Sequence, residues 1–164
     1  MTGPRRLSHA LSHGEGISLI VEVAGPDAAR DAEVSGAGAL LASTAIAEIR
    51  AASRLPIMCR EAGGDARIVA ADHDGELAGD VEIVVRVEHE EQLADVLERI
   101  DPHLLVLAAH DADEPLEHVL GLLTDVPAGK LAIADLAHVT RAEIDELERA
   151  GVDAVLVRAP LPTA

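Results

Sequence analysis

These 164 residues predict an α/β fold built around a parallel sheet, on three observations. Eight apolar runs, each too short for a helix, punctuate the chain. They are continuous in aliphatic residues instead of alternating with polar ones, the pattern of strands buried on both faces. Segments with helical periodicity separate most of them, and sequential βα units in one domain imply a parallel sheet, open or closed. The C-terminal ends of nearly all the runs carry a charged residue or a histidine, and that end of a parallel sheet is where ligands bind.

Residues 1–16, MTGPRRLSHALSHGEG, read as an N-terminal extension, with Arg5 and Arg6 but no apolar core of signal-peptide length. ISLIVEV (17–23) is the first strand. Pro26 and Asp27 open a helix running to about Ser35, since proline suits a first turn, and Gly36 and Gly38 end it before AGALLA (37–42). Ser43 or Thr44 can cap a second helix in which Ile46 and Ile49 share a face. LPIMCRE (55–61) and ARIVAAD (66–72) then follow closely, with Gly63 and Gly64 suited to a tight turn between them. Residues 73–80 lead to VEIVVRV (81–87), again without room for a helix.

The clearest helix is 89–100, where Leu93, Val96, Leu97 and Ile100 recur at helical spacing and Glu90, Glu91, Asp95, Glu98 and Arg99 face solvent. LLVLAAHD (104–111) precedes a similar helix over 113–123, carried by Leu116, Val119, Leu120 and Leu123. After KLAIAD (130–135), Thr140 and Glu143 form a capping box, Ile144 and Leu147 supply an apolar stripe, and Gly151 stops the helix before DAVLVR (153–158). The dipeptide Glu98-Arg99 reappears as Glu148-Arg149, each just ahead of a strand, a faint sign of repeated units. One domain over 17–160 and a tail over 161–164 complete the organisation.

Composition narrows the partners. No Phe, Tyr or Trp is present, so the core is aliphatic and the usual stacking platform for bases is missing. The net charge of −17 repels phosphate backbones, which argues further against nucleic acid. No stretch approaches the ~20 apolar residues that span a bilayer, so no membrane partner and a cytoplasmic location are expected. The single cysteine, Cys59, excludes an internal disulfide and sits in an apolar strand, where packing is its expected role.

At ISLIVEV, LPIMCRE and TRAEIDELERAGVDAVLV the chain resembles the indole-3-glycerol phosphate synthases, ribulose-phosphate-binding (βα)8 barrels of tryptophan biosynthesis. The likeness covers most of the chain and is best from Val81 to Leu161. It implies a TIM-barrel-like parallel sheet with several helices missing or shortened, because a (βα)8 barrel typically needs about 250 residues, with about 200 as a lower figure. The family's carbon–carbon lyase chemistry falls, through this resemblance, on Glu22, Arg60, Arg86 and Asp135, and its phosphate contacts on Arg60, Arg86 and Arg158.

The resemblance carries scaffold better than chemistry. The family's general-acid lysine position is Arg60, its general-base glutamate position Arg86, and the glycine after its last strand Arg158; the sixth-strand asparagine region is Ala108-Ala109 and the seventh-strand Glu-Ser pair is Asp135-Leu136. Closing an indole ring needs one group to give a proton and another to take one near working pH. A guanidinium is too weak an acid to give up its proton near neutral pH and so serves poorly in either role. The expected function is therefore an anionic phosphosugar-type ligand in a synthase-like barrel whose lyase activity is weak or lost, with no cofactor.

Two other classes stand beside this one. The chain can be a non-catalytic descendant that binds a metabolite or a partner subunit. It can also be a metal-dependent hydrolase using a rim of Asp72, His73, Asp74, His110, Asp111, Asp113, Asp135 and His138, although no ligand spacing such as HExxH supports a metal and such residues commonly serve as caps and turns. His9, His13, His89, His103 and His118 are expected in turns or on polar faces. The missing helices are expected to expose apolar strand faces near Ile57, Cys59, Ile68 and Val69, making residues 55–72 a surface for homodimerisation or a partner.

Overall fold

The structure is a computed structural model and describes residues 6–13, 16–60, 63–73, 81–109 and 112–158. Every one of the eight apolar runs is a strand: β1 Ser18–Glu22, β2 Ala39–Ala42, β3 Ile57–Cys59, β4 Ala66–Ala70, β5 Glu82–Val87, β6 Leu104–Ala108, β7 Leu131–Asp135 and β8 Ala154–Val157. They pair in parallel and in sequence order, and β8 returns to β1 with Ile20 opposite Leu156, which closes the barrel. The described helices are α1 Arg6–His13, α2 Pro26–Val34, α3 Ile46–Ala52, α4 Glu90–Arg99, α5 Pro115–Leu123 and α6 Arg141–Ala150. None of these is long and apolar enough to cross a membrane.

The continuous aliphatic runs serve two cores at once. Side chains alternate across a strand, so Ile20, Leu41, Met58, Val84, Val106 and Leu156 fill the barrel interior. Their neighbours Val21, Leu40, Ile57, Val85 and Leu105 pack outward against Ala29, Ile49, Leu93, Val119 and Ile144 of the helices. Helix ends follow local chemistry. Pro26 occupies the first turn of α2, and Thr140 and Glu143 cap α6 reciprocally, with Gly151 closing it at φ 102°. For α3 the expected Ser43 or Thr44 cap is absent: the capping position is Ala45 at φ 56°, without a side-chain bond. Ser43 is inward in the register of β2, two residues past Leu41, and its hydroxyl is instead taken by Arg60.

The extension does more than precede the domain. Within it, α1 closes the N-terminal end of the barrel, with Leu7 fully buried and Leu11 nearly so in the interior cluster. The Ser8 amide donates to Glu82 at 3.0 Å and its hydroxyl to the other Glu82 oxygen, while Arg6 pairs with Asp65 at 3.3 Å. Two leucines four residues apart make too short a stripe to be recognised as amphipathic without the cavity they fill.

The short connections around β3 and β4 do not leave the strands bare. Ile57, Cys59, Ile68 and Val69 are 0%, 1%, 8% and 6% exposed, which corrects the expectation of apolar faces open to a partner. Ile68 points into the barrel, not out of it. The Gly63-Gly64 turn lies directly on β3, and Asp65 stands in for a helix by bonding the Ile57 amide at 2.9 Å while its own amide reaches the Ile57 carbonyl at 2.8 Å. Arg99 of α4 crosses to the carbonyls of Ala71 and His73 beyond β4.

A Cβ on Gly64 would stand 2.5 Å from the Cys59 sulfur and 2.7 Å from the Ile57 carbonyl oxygen. Gly64→Ala is therefore expected to destabilise the protein by about 1–3 kcal/mol, the usual range for forced overpacking, read as a lower urea midpoint. A midpoint equal to wild type would mean that the turn does not lie on β3 so closely.

Candidate functional site

The mouth at the C-terminal end of the strands follows from the same alternation. Glu22, Arg60, Arg86, Asp135 and Arg158 each stand two residues beyond an interior aliphatic: Ile20, Met58, Val84, Ile133 and Leu156. Five strands thus place one charged side chain each on top of a water-excluding aliphatic plug. All five residues singled out from the sequence gather here.

Their contacts form one chain of charges. Arg86 Nη1 donates to Asp135 Oδ2 at 2.8 Å, and Arg158 Nη1 donates to Asp135 Oδ1 at 3.1 Å. The Ala137 amide adds a third bond to Oδ1 at 3.2 Å, from a backbone at φ 67°. Asp135 is 0% exposed, so its cost of desolvation is met by these donors. Glu22 is different: Arg60 lies 3.6 Å from one of its oxygens and Arg158 3.7 Å from the other, both beyond good hydrogen-bond distance. Arg86 also approaches Glu88 at 3.4 Å, and Arg60 donates to Ser43 at 3.1 Å.

Two cavities open on this chain and share Arg60 and Arg158. One, of about 370 Å³, has a floor of Ile68, Val69, Ala70 and Leu156 and is rimmed also by Arg86. The other, of about 350 Å³, is lined by Glu22, Val23, Ala24, Ser43 and Thr44. Guanidinium groups present planar forks suited to carboxylate or phosphate oxygens, and here they stand over an apolar floor without an aromatic ring.

A third cavity, of about 350 Å³, lies beyond β5 and β6 between Glu88, His89, Ala108, Ala109, Ala112, Asp113 and His118. His118 was expected on a polar face, yet it is half-buried and its Nε2 lies 2.5 Å from the Glu88 carbonyl. The Asp/His rim does not assemble among the described residues: no group of three or more potential metal ligands gathers there. Asp72, Asp113 and His138 are exposed, and Asp135 is committed to the arginines. Asp74, His110 and Asp111 lie outside the described residues. Burial pushes the Cys59 thiol up, in keeping with a packing role.

Ser43, Glu88 and His118 were missed as site residues. The first two were within reach of the period-2 count, two residues past Leu41 and Arg86; His118 had no comparable signal, since it meets the mouth only through the packing of α5.

Closed parallel strands, outer helices and a charged mouth at the strand ends define a TIM-barrel-like α/β protein. No protein-family model matches the chain, and no curated protein does. Among solved structures it is similar to an N-acetylmannosamine-6-phosphate 2-epimerase from Clostridium perfringens, with TM-score 0.72 and 14% identity over 88% of this chain and 87% of that one. It is also similar to a phosphoenolpyruvate phosphomutase from Streptomyces platensis subsp. rosaceus, with TM-score 0.68 and 12% identity over 96% of this chain and 81% of that one. Identities this low establish a shared fold.

Proposed function

We propose that the mouth binds a small anionic ligand of the phosphosugar type, in an indole-3-glycerol-phosphate-synthase-like barrel whose lyase chemistry is weak or lost. The observation that carries this reading is the convergence of Arg60, Arg86 and Arg158 on one cavity of about 370 Å³ at the strand ends. Two of those arginines are braced by the buried Asp135, so their donors are positioned before a ligand arrives. Arg60 is 48% exposed and its ion pair with Glu22 is long. Such a pair contributes about 0–1 kcal/mol, so a phosphate or carboxylate can capture this guanidinium. Both structural neighbours are named for phosphorylated compounds, which favours the same ligand class.

Loss of lyase activity follows from proton chemistry. Arg60 and Arg86 occupy the positions that the resemblance assigns to acid and base, and neither releases a proton near neutral pH. The remaining carboxylates are engaged with guanidinium groups. The site therefore holds an anion better than it moves protons. Binding without turnover is also what a non-catalytic descendant of the family would do.

Calorimetric titration with 1-(2-carboxyphenylamino)-1-deoxyribulose 5-phosphate tests the proposal. Binding with no indoleglycerol phosphate formed is the expected result. Arg60→Met should weaken binding roughly ten- to a hundredfold, the worth of one hydrogen bond to a charged group, with an unchanged melting temperature because the side chain is half exposed. Indifference to this and to simpler phosphosugars would overturn the reading, and rapid turnover would overturn the claim of lost chemistry.

A further inference from the structure

Among the described residues the mouth sets three arginines against three carboxylates. Arg60, Arg86 and Arg158 face Glu22, Glu88 and Asp135, and the three carboxylates are held in different ways. Asp135 is buried and accepts hydrogen bonds from Arg86, Arg158 and the Ala137 amide. The Glu88 carboxylate pairs with Arg86 at 3.4 Å. Glu22 is one-third exposed and no hydrogen bond reaches it among the described residues. Its two oxygens nevertheless stand one against Arg60 and one against Arg158, the two guanidiniums common to both cavities. That is the position of an oxyanion bridging the pair.

We infer that Glu22 is a resident counter-anion: an incoming phosphate or sulfate group replaces it between Arg60 and Arg158, and Glu22 takes up a proton from solvent as the anion binds. This rests on the anion site proposed above and specifies how that site selects its ligand. A carboxylate left beside a bound oxyanion is a like charge and is repelled. Once protonated, it becomes a donor to the anion. The sign of the linkage follows. Bound anion favours protonated Glu22, so by reciprocity protonation favours the anion, and affinity rises as pH falls.

Among the described residues, Glu22 is the carboxylate that meets an anion held between Arg60 and Arg158. Arg60 faces it from β3 and Arg158 from β8, and both stay protonated. Behind Arg158 stands Asp135 of β7, fixed by Arg86 of β5. Glu88 and, through its carbonyl, His118 of α5 adjoin Arg86 and neither arginine of Glu22. The consequence for selectivity is that the site discriminates against permanently dianionic ligands at high pH and favours a phosphate monoester that arrives with its own proton.

Titration of the full chain with sodium sulfate and with inorganic phosphate between pH 5 and 8 tests this, sulfate being used because its own charge is constant there. Wild-type protein should bind sulfate more tightly as pH falls. Glu22→Gln should bind sulfate about tenfold more tightly at pH 8, the scale of one like charge removed at this range, and should lose the pH dependence. Glu22→Ala should move in the same direction. Equal or weaker binding by both variants at pH 8 would overturn the counter-anion role while leaving the anion site standing. So would an unchanged pH slope in Glu22→Gln, which would place the proton uptake on a group other than Glu22. If neither wild type nor variant binds sulfate, phosphate or a phosphosugar, the inference falls together with the anion site.

Discussion

Asp135→Ala is expected to lower the stability of the barrel by about 3–5 kcal/mol, the usual cost of breaking a buried ion pair from one side. The carboxylate is 0% exposed and accepts from Arg86, Arg158 and the Ala137 amide. Its removal strands two guanidiniums, 27% and 29% exposed, beside each other over an aliphatic floor. The midpoint of urea unfolding, compared at constant m-value, measures the effect. Asp135→Asn should fall between the two proteins, because its amide oxygen can still accept one bond while its NH₂ meets a cation. Anion affinity should fall in both variants, since Arg86 and Arg158 lose the group that orients them. A loss below about 1 kcal/mol would mean that the arginines find other partners and that Asp135 does not organise the mouth.

The second large effect lies at the opposite end. Leu7 is fully buried in the barrel interior although it belongs to an eight-residue helix before the first strand. Leu7→Ala is expected to cost about 2–5 kcal/mol, the range for emptying a buried leucine site, whereas Leu7→Met should cost less than about 1.5 kcal/mol because volume is conserved. Thermal and urea unfolding of the pair give the comparison. A neutral Leu7→Ala would show that α1 is not needed to close the barrel, and that the contacts of Ser8 with Glu82 and of Arg6 with Asp65 are incidental.

The strands were legible because each is buried on both faces, which writes an uninterrupted aliphatic run whatever its neighbours are. Helices α4 and α6 were legible because their periodicity and caps are local, Thr140 with Glu143 above all. The five mouth residues were named through the resemblance to the synthase family, and each stands at or just beyond a strand end. What could not be read was which charges meet. Arg86 and Asp135 are far apart along the chain, and only closure of the barrel brings them to 2.8 Å.

The short connections around β3 and β4 were the least legible. Counting residues suggested bare strands around Cys59 and Val69, because a parallel crossover usually takes a dozen residues or more. The chain returns instead through a glycine turn laid on β3 and tied by Asp65, an arrangement that depends on backbone approach and leaves no hydrophobic pattern. The Asp and His residues of the alternative metal rim could be weighed but not placed from sequence, because aspartate and histidine at strand ends mark turns as readily as ligands.

The sequence by itself determined the α/β class, the eight strands, most helices and the arginines at the strand ends. Those properties are local, set by side-chain period, turn chemistry and fixed charge. Tertiary structure alone decided that the sheet closes, that α1 plugs it, that Asp135 is buried between Arg86 and Arg158, and that Glu22 stands between Arg158 and Arg60. Each of these is a relation between distant residues, and its energy depends on burial and distance that exist only once the chain has folded.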